Sequence, residues 1–204
     1  MDCEDTSSFA DSTEAEGLND MNRRVVIALG GAGVNFVNSI AQLDADLAVA
    51  IIGSQDPEDD RYARFDHVWR VEVREEEGET DADLKGVPED VRDRAFRIIG
   101  SADRIVFFVD FGGLISKFAP ALCGLARNAK DQVFMLGTFP FVFEVPRRRV
   151  AENVLESLRS IGVPMCVEDN QSLVHLGPTM KAGDAFRVMN RRIEGHWRQF
   201  VASN

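Results

Sequence analysis

The stretch VVIALGGAGVNFVN, residues 25–38, decides the fold. It begins with an apolar run, continues through a glycine cluster at Gly30, Gly31 and Gly33, and passes into a segment with helical spacing. In open α/β sheets the N-terminus of such a helix presents unpaired N–H groups to an anion. The stretch therefore predicts a phosphate-binding turn, with glycines that merely permit a tight strand-to-helix turn as the alternative.

Apolar runs alternate with helical segments along the rest of the chain. Further apolar runs lie at 47–52, 104–111, 132–136 and 164–168. Segments of helical spacing lie at 34–43, 88–99, 117–129, 146–161 and 184–201. Runs that are apolar on both faces indicate buried parallel strands, and the alternating stretch 66–73 is typical of an edge strand. We therefore predict an α/β fold with a Rossmann-like, doubly wound, mostly parallel sheet flanked by helices.

The charge of the chain is unevenly distributed. The 204 residues carry a net charge of -11, and residues 1–22 contain seven acidic residues and no lysine or arginine. Such a segment has too little apolar content to offset its ordering entropy. We predict a disordered acidic tail over 1–22, either solubilising or partner-binding, and one domain over 23–204.

The composition also excludes several classes of function. An acidic chain without a basic stripe is unsuited to nucleic acid or anionic lipid. No signal peptide or membrane-spanning run is visible, so we expect a cytoplasmic protein without direct membrane insertion. The three cysteines and three histidines are scattered, and we predict no disulfide framework and no metal site. The glycine cluster lacks the third glycine of GxGxxG, which disfavours a nicotinamide or flavin site.

Four segments in order resemble the nucleotide-binding domain of the FtsZ/tubulin superfamily. They are the glycine cluster, PFVFEVPRRR at 140–149, PMCVEDN at 164–170 and DAFRVMNRRIEG at 184–195. The family shows a strand followed by GxGGGGxNAVN, then a PFxFEGxxR segment, and a central helix beginning near DAFxxAxxxL. The resemblance extends from about residue 23 to the C-terminus. It implies the FtsZ-type fold and GTP or GDP as ligand, with magnesium only if a triphosphate binds.

The resemblance also implies which residues contact the nucleotide. Glu144 matches the glutamate that contacts the ribose, and Phe186 matches the aromatic residue that stacks on guanine. Arg148 matches the arginine of the PFxFEGxxR segment, with Arg149 as the alternative because the register is open by one residue. The matching positions are Gly30, Gly31, Ala32, Gly33, Asn35, Gly112, Gly113, Glu144, Arg148, Phe186 and Asn190.

The largest departure from the family is its signature loop, GGGTGTG followed by AAP. This chain has GGLISKFAP at 112–120 instead. We expect the side chains of Leu114, Ile115 and Phe118 to fill the space that a triphosphate requires. Lys117, as a point charge near the phosphates, is the alternative.

Two further departures affect the ends of the ligand. The family's third-phosphate segment GLGAGxxPE is reduced to KGVPE at 85–89. Arg191 replaces the acidic residue that reads guanine, and a guanidinium cannot accept the protons of that base. These changes leave three possibilities for the site: it binds a diphosphate, a mononucleotide or no nucleotide.

These features predict a protein that acts by binding other protein subunits rather than by catalysis. The family's catalytic loop follows the central helix, where this chain ends, so we expect no catalytic residue and no self-assembled GTP hydrolysis. The two-sided pattern of the segment 184–201 favours a single-domain protein. We predict a degenerate guanine-nucleotide site in a cytoskeletal, division or membrane-remodelling protein. Its site face would bind an FtsZ/tubulin-like filament or a second copy of the chain.

Two alternatives stay open. The first is a GTP-binding hydrolase or transferase that has recruited Lys117, Glu144 or Asp110 near the phosphates. Asp110 ends an apolar run, where it could hold magnesium or simply hydrogen-bond a turn. The second is a fragment of a full-length FtsZ-like GTPase.

Overall fold

A computed structural model describes residues 23–40, 48–53, 65, 67–70, 87–130, 132–177 and 179–202. The strands are β1 Arg24–Leu29, β2 Ala48–Gly53, β3 His67–Arg70, β4 Arg104–Asp110, β5 Val133–Phe139 and β6 Met165–Asp169. The α-helices are α1 Gly31–Ile40, α2 Glu89–Ser101, α3 Ala119–Ala129, α4 Val145–Ile161 and α5 Ala182–Ala202. Within the described ranges, Leu114–Phe118 and Asn170–Leu176 form 3-10 helices. The predicted acidic tail over 1–22 lies outside the described residues.

The strands form one six-stranded sheet in the order β3-β2-β1-β4-β5-β6, and each pairing is parallel. The predicted doubly wound α/β fold is therefore confirmed. The predicted edge strand is confirmed over residues 67–70, because β3 lies at the end of the sheet and pairs with β2, while residues 66 and 71–73 of the predicted stretch lie outside the described residues. β1 and β4 are the two central strands. β2 and β3 extend the sheet on the side of β1, and β5 and β6 extend it on the side of β4. Ligands of open α/β sheets bind where the strand order reverses in this way, at the carboxyl ends of the strands.

Helices cover both faces of the sheet, which explains why its strands are continuous apolar runs. In β1, Val25, Ile27 and Leu29 pack on the side of α2, α3 and α4. The alternate residues Val26 and Ala28 pack on the side of α1 and α5. Of the helices within the described ranges, not one has both the length and the apolar character that crossing a bilayer requires.

The predicted two-sided character of α5 is confirmed. Met189, Ile193 and Trp197 are buried against the sheet, while Arg187 and Arg198 are exposed. The spacing of three and four residues places the buried side chains on one face.

The glycine cluster is the start of α1 rather than a loop before it. The helix begins at Gly31, three residues earlier than predicted. A Cβ atom at Gly33 would lie 2.7 Å from the Cβ of Ala28, so this glycine allows the helix to approach its own strand closely. Gly30 has φ +94°, a conformation that glycine adopts without strain.

Two other helix starts depend on proline. The predicted helix 117–129 divides into the 3-10 helix Leu114–Phe118 and α3, with Pro120 in the first turn of α3. Pro146 occupies the first turn of α4, and Gly162, with φ 73°, ends that helix. Proline fits a first turn because the N–H that it lacks has no partner there.

Candidate functional site

A cleft of about 460 Å³ opens at the carboxyl ends of the central strands. Its floor contains Gly31 after β1, Asp110 at the end of β4, Thr138 near the end of β5 and Asn170 directly after β6. One wall is α5, and the turn between β5 and α4 forms the other. The cleft thus lies where the strand order reverses, as expected for a ligand site of this fold.

Five of the predicted site residues line the cleft: Gly31, Asn35, Glu144, Phe186 and Asn190. Three more, Gly30, Ala32 and Gly33, belong to the same turn and to the first turn of α1. Gly112, Gly113 and Arg148 do not occur among the described residues that line the cleft. The structure therefore brings together most of the positions implied by the resemblance, and their role in binding stays a prediction.

Arg148 is turned toward the sheet rather than toward the cleft. Its Nη1 donates to the Pro140 carbonyl oxygen at 2.7 Å, and its Nη2 donates to Asp169 Oδ2 at 3.0 Å. Its guanidinium also lies 4.7 Å from the centre of the Phe139 ring. Arg148 thus ties the first turn of α4 to the ends of β5 and β6.

Arg147, which the sequence analysis did not select, enters the cleft instead. Its Nη2 lies 3.4 Å from each carboxylate oxygen of Asp110, and its Nη1 donates to Glu144 Oε1 at 2.5 Å. Thr138 Oγ1 donates to Asp110 Oδ1 at 3.3 Å. Successive helix positions are turned by about 100°, so a shift of one residue decides which arginine reaches the cleft. The cleft lining consequently holds two carboxylates around one guanidinium.

Glu144 is held in place on both sides. Its Oε2 accepts from the Phe141 N–H at 3.0 Å, and its carbonyl oxygen accepts from the Arg148 N–H at 2.9 Å. The predicted ribose contact therefore has a fixed position at the wall of the cleft.

Burial raises the pKa of Asp110 above its ordinary value of 3.8. Arg147 and the hydrogen bond from Thr138 oppose this shift, and Glu144 adds to it. Carboxyl groups with a perturbed pKa in clefts occur at functional sites, where their cost in stability is tolerated.

The shift predicts how Asp110→Asn changes stability with pH. A carboxyl whose pKa is higher in the folded than in the unfolded chain destabilises the fold once it ionises. The cost is absent below the unfolded pKa and complete above the folded pKa. We therefore expect Asp110→Asn to be more stable than the parent at pH 7, with the difference vanishing below about pH 4. Urea denaturation across this range measures it.

Asp93→Asn serves as the control, because Asp93 is exposed on α2. Its stability relative to the parent should hardly change over the same pH range. An Asp110→Asn protein that is less stable than the parent at pH 7 would contradict this prediction.

Three aromatic rings line the mouth of the cleft. Phe141 and Phe143 stack with their centres 4.9 Å apart, and the edge of Phe186 meets Phe141 at 6.4 Å. Phe143 is 74% exposed and Phe186 is 46% exposed. The predicted base-stacking residue thus belongs to a larger aromatic wall. The aromatic run in PFVF at 140–143 is the signal that the sequence analysis left without a role.

Asn170 is a further functional candidate that sequence reasoning missed. It is 8% exposed, and its Oδ1 has no hydrogen-bond partner. A buried acceptor left unpaired is costly, and a bound ligand can supply its donor. The available signal was a polar residue two positions after a predicted strand.

The signature-loop region corrects one expectation. Ile115 and Phe118 are buried in the core on the side of α2, α3 and α4, so they do not fill the cleft. Leu114 is partly exposed, and neither it nor Lys117 is among the described residues that line the cleft. Ile115 and Phe118 of this 3-10 helix pack in the core instead, because burial there removes their apolar side chains from water.

Gly112 has a packing role. Its φ is +86°, and a Cβ atom there would lie 2.5 Å from the Arg147 carbonyl oxygen. The first turn of α4 therefore covers this glycine. Across the described ranges, no group of three or more histidine, cysteine, aspartate or glutamate side chains is placed to hold a metal ion.

Comparisons with known proteins agree with this fold. No protein-family model matches the chain. The cell division protein FtsZ of Methanothermobacter thermautotrophicus is 27% identical over 183 residues, which cover 83% of this chain and 47% of that protein. The chain thus spans about half the length of the curated relative.

Two solved structures have a similar fold. An FtsZ dimer from M. jannaschii has a TM-score of 0.63 at 17% identity, covering 86% of this chain and 53% of that chain. A TubZ with truncated C-terminal tail, from Clostridium botulinum phage c-st, has a TM-score of 0.62 at 18% identity, covering 88% and 60%.

Proposed function

We propose that this FtsZ/tubulin-like nucleotide-binding domain acts in the cytoplasm by protein association and does not hydrolyse GTP by itself. Association uses the face that carries the cleft. The partner is a second copy of the chain or a subunit of an FtsZ/tubulin-like filament, in a cytoskeletal or division process. The observation that carries the proposal is the exposed apolar rim of the cleft.

This rim patch consists of Phe143 and Phe186, which line the cleft with each ring beside that of Phe141, and of Val142 and Val145, which lie near Phe143 along the chain. The four side chains of the patch are exposed. Apolar groups that are contiguous at a surface mark interaction sites more often than scattered ones do. Aromatic residues are also enriched at protein interfaces. One solved neighbour is itself an FtsZ dimer, which supports self-association of this fold.

The charges of the cleft support the absence of hydrolysis. Phosphoryl transfer requires cationic groups that neutralise the phosphates. Arg147 is the cation among the described lining residues, and it is already paired with Asp110 and Glu144. The residues that the resemblance assigns to the base and the ribose, Phe186, Asn190 and Glu144, line the cleft, whereas the described lining offers the phosphates no unpaired cation. We therefore describe the site as degenerate.

The association proposal predicts that Phe143→Ser weakens self-association or filament binding about tenfold or more, because a buried aromatic anchor contributes about 2 kcal/mol or more. Sedimentation velocity of the full chain, alone and mixed with an FtsZ filament protein, measures this. Phe96→Ser is the matched control, since Phe96 is 57% exposed on α2, outside the cleft lining. Equal losses in both variants, or no association in either setting, would refute the proposal.

Hydrolysis is tested separately. Purified protein should release no more phosphate from GTP than its Gly31→Trp variant, in which the indole blocks the cleft. Turnover that follows the protein through purification and disappears in that variant would show a hydrolase instead.

A further inference from the structure

We propose that the cleft selects a purine nucleoside with at most one phosphate group, because the Asp110 carboxylate lies where the outer phosphates of a nucleotide would bind. This inference rests on the proposed function, since it takes the cleft to be the nucleotide site. It assigns to Asp110 the role of a specificity-determining residue.

Asp110 lies close to the N-terminus of α1. β1 and β4 pair in parallel with Leu29 beside Val109, so Gly30 and Asp110 are the next residues along the two strands. The Cβ of Asp110 lies 3.7 Å from the position that a Cβ at Gly30 would take. Gly30 directly precedes the N-terminus of α1, which favours a negative group. The protein supplies that negative group from its own β4.

The charges around Arg147 also oppose the binding of several phosphate groups. Arg147 contacts both oxygens of Asp110 and one oxygen of Glu144. A phosphate that replaced Asp110 as partner of Arg147 would leave a half-buried carboxylate beside it. Each additional phosphate brings further negative charge toward Asp110 and Glu144, and like charges repel strongly where water is partly excluded.

The lining residues away from Asp110 indicate a ligand independently, since β6, which Asn170 directly follows, lies two strands from β4 in the sheet. Asn170 is more than nine-tenths buried, lines the cleft, and has an Oδ1 without a hydrogen-bond partner. Asn190 and Phe186 also line the cleft. Amide groups and an aromatic ring recognise a purine through its N–H groups and its flat face, without requiring charge. The cleft is therefore built for the neutral part of a nucleotide.

The experiment is calorimetric titration of the full chain with guanosine, GMP, GDP and GTP, in EDTA and in magnesium, with adenosine in parallel. We expect guanosine and GMP to bind with similar affinity, and GTP to bind about tenfold or more weakly than guanosine. Asp110→Asn should strengthen GDP and GTP binding about tenfold or more and change guanosine binding less than about threefold.

Two controls make the result interpretable. Asp93→Asn removes a carboxylate outside the cleft and should leave the order of affinities unchanged. Asp110→Ser repeats the loss of charge without an amide, in case Asp110→Asn folds poorly as judged by circular dichroism.

The outcomes separate this inference from the proposed function. If GTP binds more tightly than guanosine in either buffer, or Asp110→Asn leaves the order unchanged, the inference is wrong and the nucleotide site stands. If neither nucleosides nor nucleotides bind, the cleft is not a nucleotide site, and that part of the proposed function fails with it.

Discussion

Replacing Trp197 with alanine should lower the free energy of unfolding by about 3–5 kcal/mol, which is the usual cost of removing a large buried aromatic side chain. Trp197 is 3% exposed and belongs to the core between the sheet and the helices α1 and α5. Its ring lies 6.1 Å from that of Phe200, which in turn stacks on Phe134 of β5 at 5.0 Å. A domain of this size is stable by only about 5–15 kcal/mol, so much of the total would be lost.

The same substitution should weaken ligand binding, because α5 carries Phe186 and Asn190 to the cleft.

Urea denaturation followed by circular dichroism is the suitable measurement of the stability loss, since Trp197→Ala removes a fluorophore. Arg198→Ala, on the exposed side of the same helix, should change stability by less than about 0.5 kcal/mol. Trp197→Phe provides a milder variant if the alanine protein does not fold. A loss below about 1 kcal/mol for Trp197→Ala would show that α5 is not packed as described.

Gly112→Ala should lower the free energy of unfolding by about 2–5 kcal/mol, measured without nucleotide. The positive φ of Gly112 costs a residue with a Cβ about 1–2 kcal/mol. Overpacking adds about 1–3 kcal/mol, because the new methyl group would lie 2.5 Å from the Arg147 carbonyl oxygen and 2.9 Å from its carbonyl carbon. Backbone atoms cannot move aside as a flexible side chain can.

Gly113→Ala is the matched control one residue later. Its φ is -81°, and the new Cβ would lie 3.6 Å from the Asp110 carbonyl oxygen, which is an ordinary contact. We expect a change of less than about 1 kcal/mol. Similar stabilities for the two variants would mean that α4 does not cover Gly112. The pair thus separates a packing role from the phosphate role that the resemblance implies for both glycines.

The secondary structure was predictable because its signals are local. Strands buried on two faces appear as apolar runs, and α5 shows its buried face through the spacing of Met189, Ile193 and Trp197. The start of α1 was misplaced because glycine is a weak helix former, yet Gly33 is required there by the nearby Ala28. Packing against β1 outweighs propensity at this position.

The candidate site was predictable only in part. The resemblance selected Glu144, Phe186 and Asn190, and the structure places all three in the cleft. It selected Arg148, whereas Arg147 enters the cleft, because the rotation of α4 decides the direction of each side chain. Asn170 was overlooked, since its isolation from hydrogen-bond partners is a property of the folded surroundings and not of its neighbours in sequence.

The sequence by itself determined the α/β class, the alternation of strands and helices, and the residue types available at the strand ends, because periodicity and composition act over short distances along the chain. Only the tertiary structure decided that Asp110 and Glu144 share Arg147, and that Ile115 and Phe118 turn into the core. These contacts depend on the register of β4 beside β1 and on how α4 docks against the loop at Gly112. Residues tens of positions apart meet there because the whole sheet positions them, and no local pattern encodes that meeting.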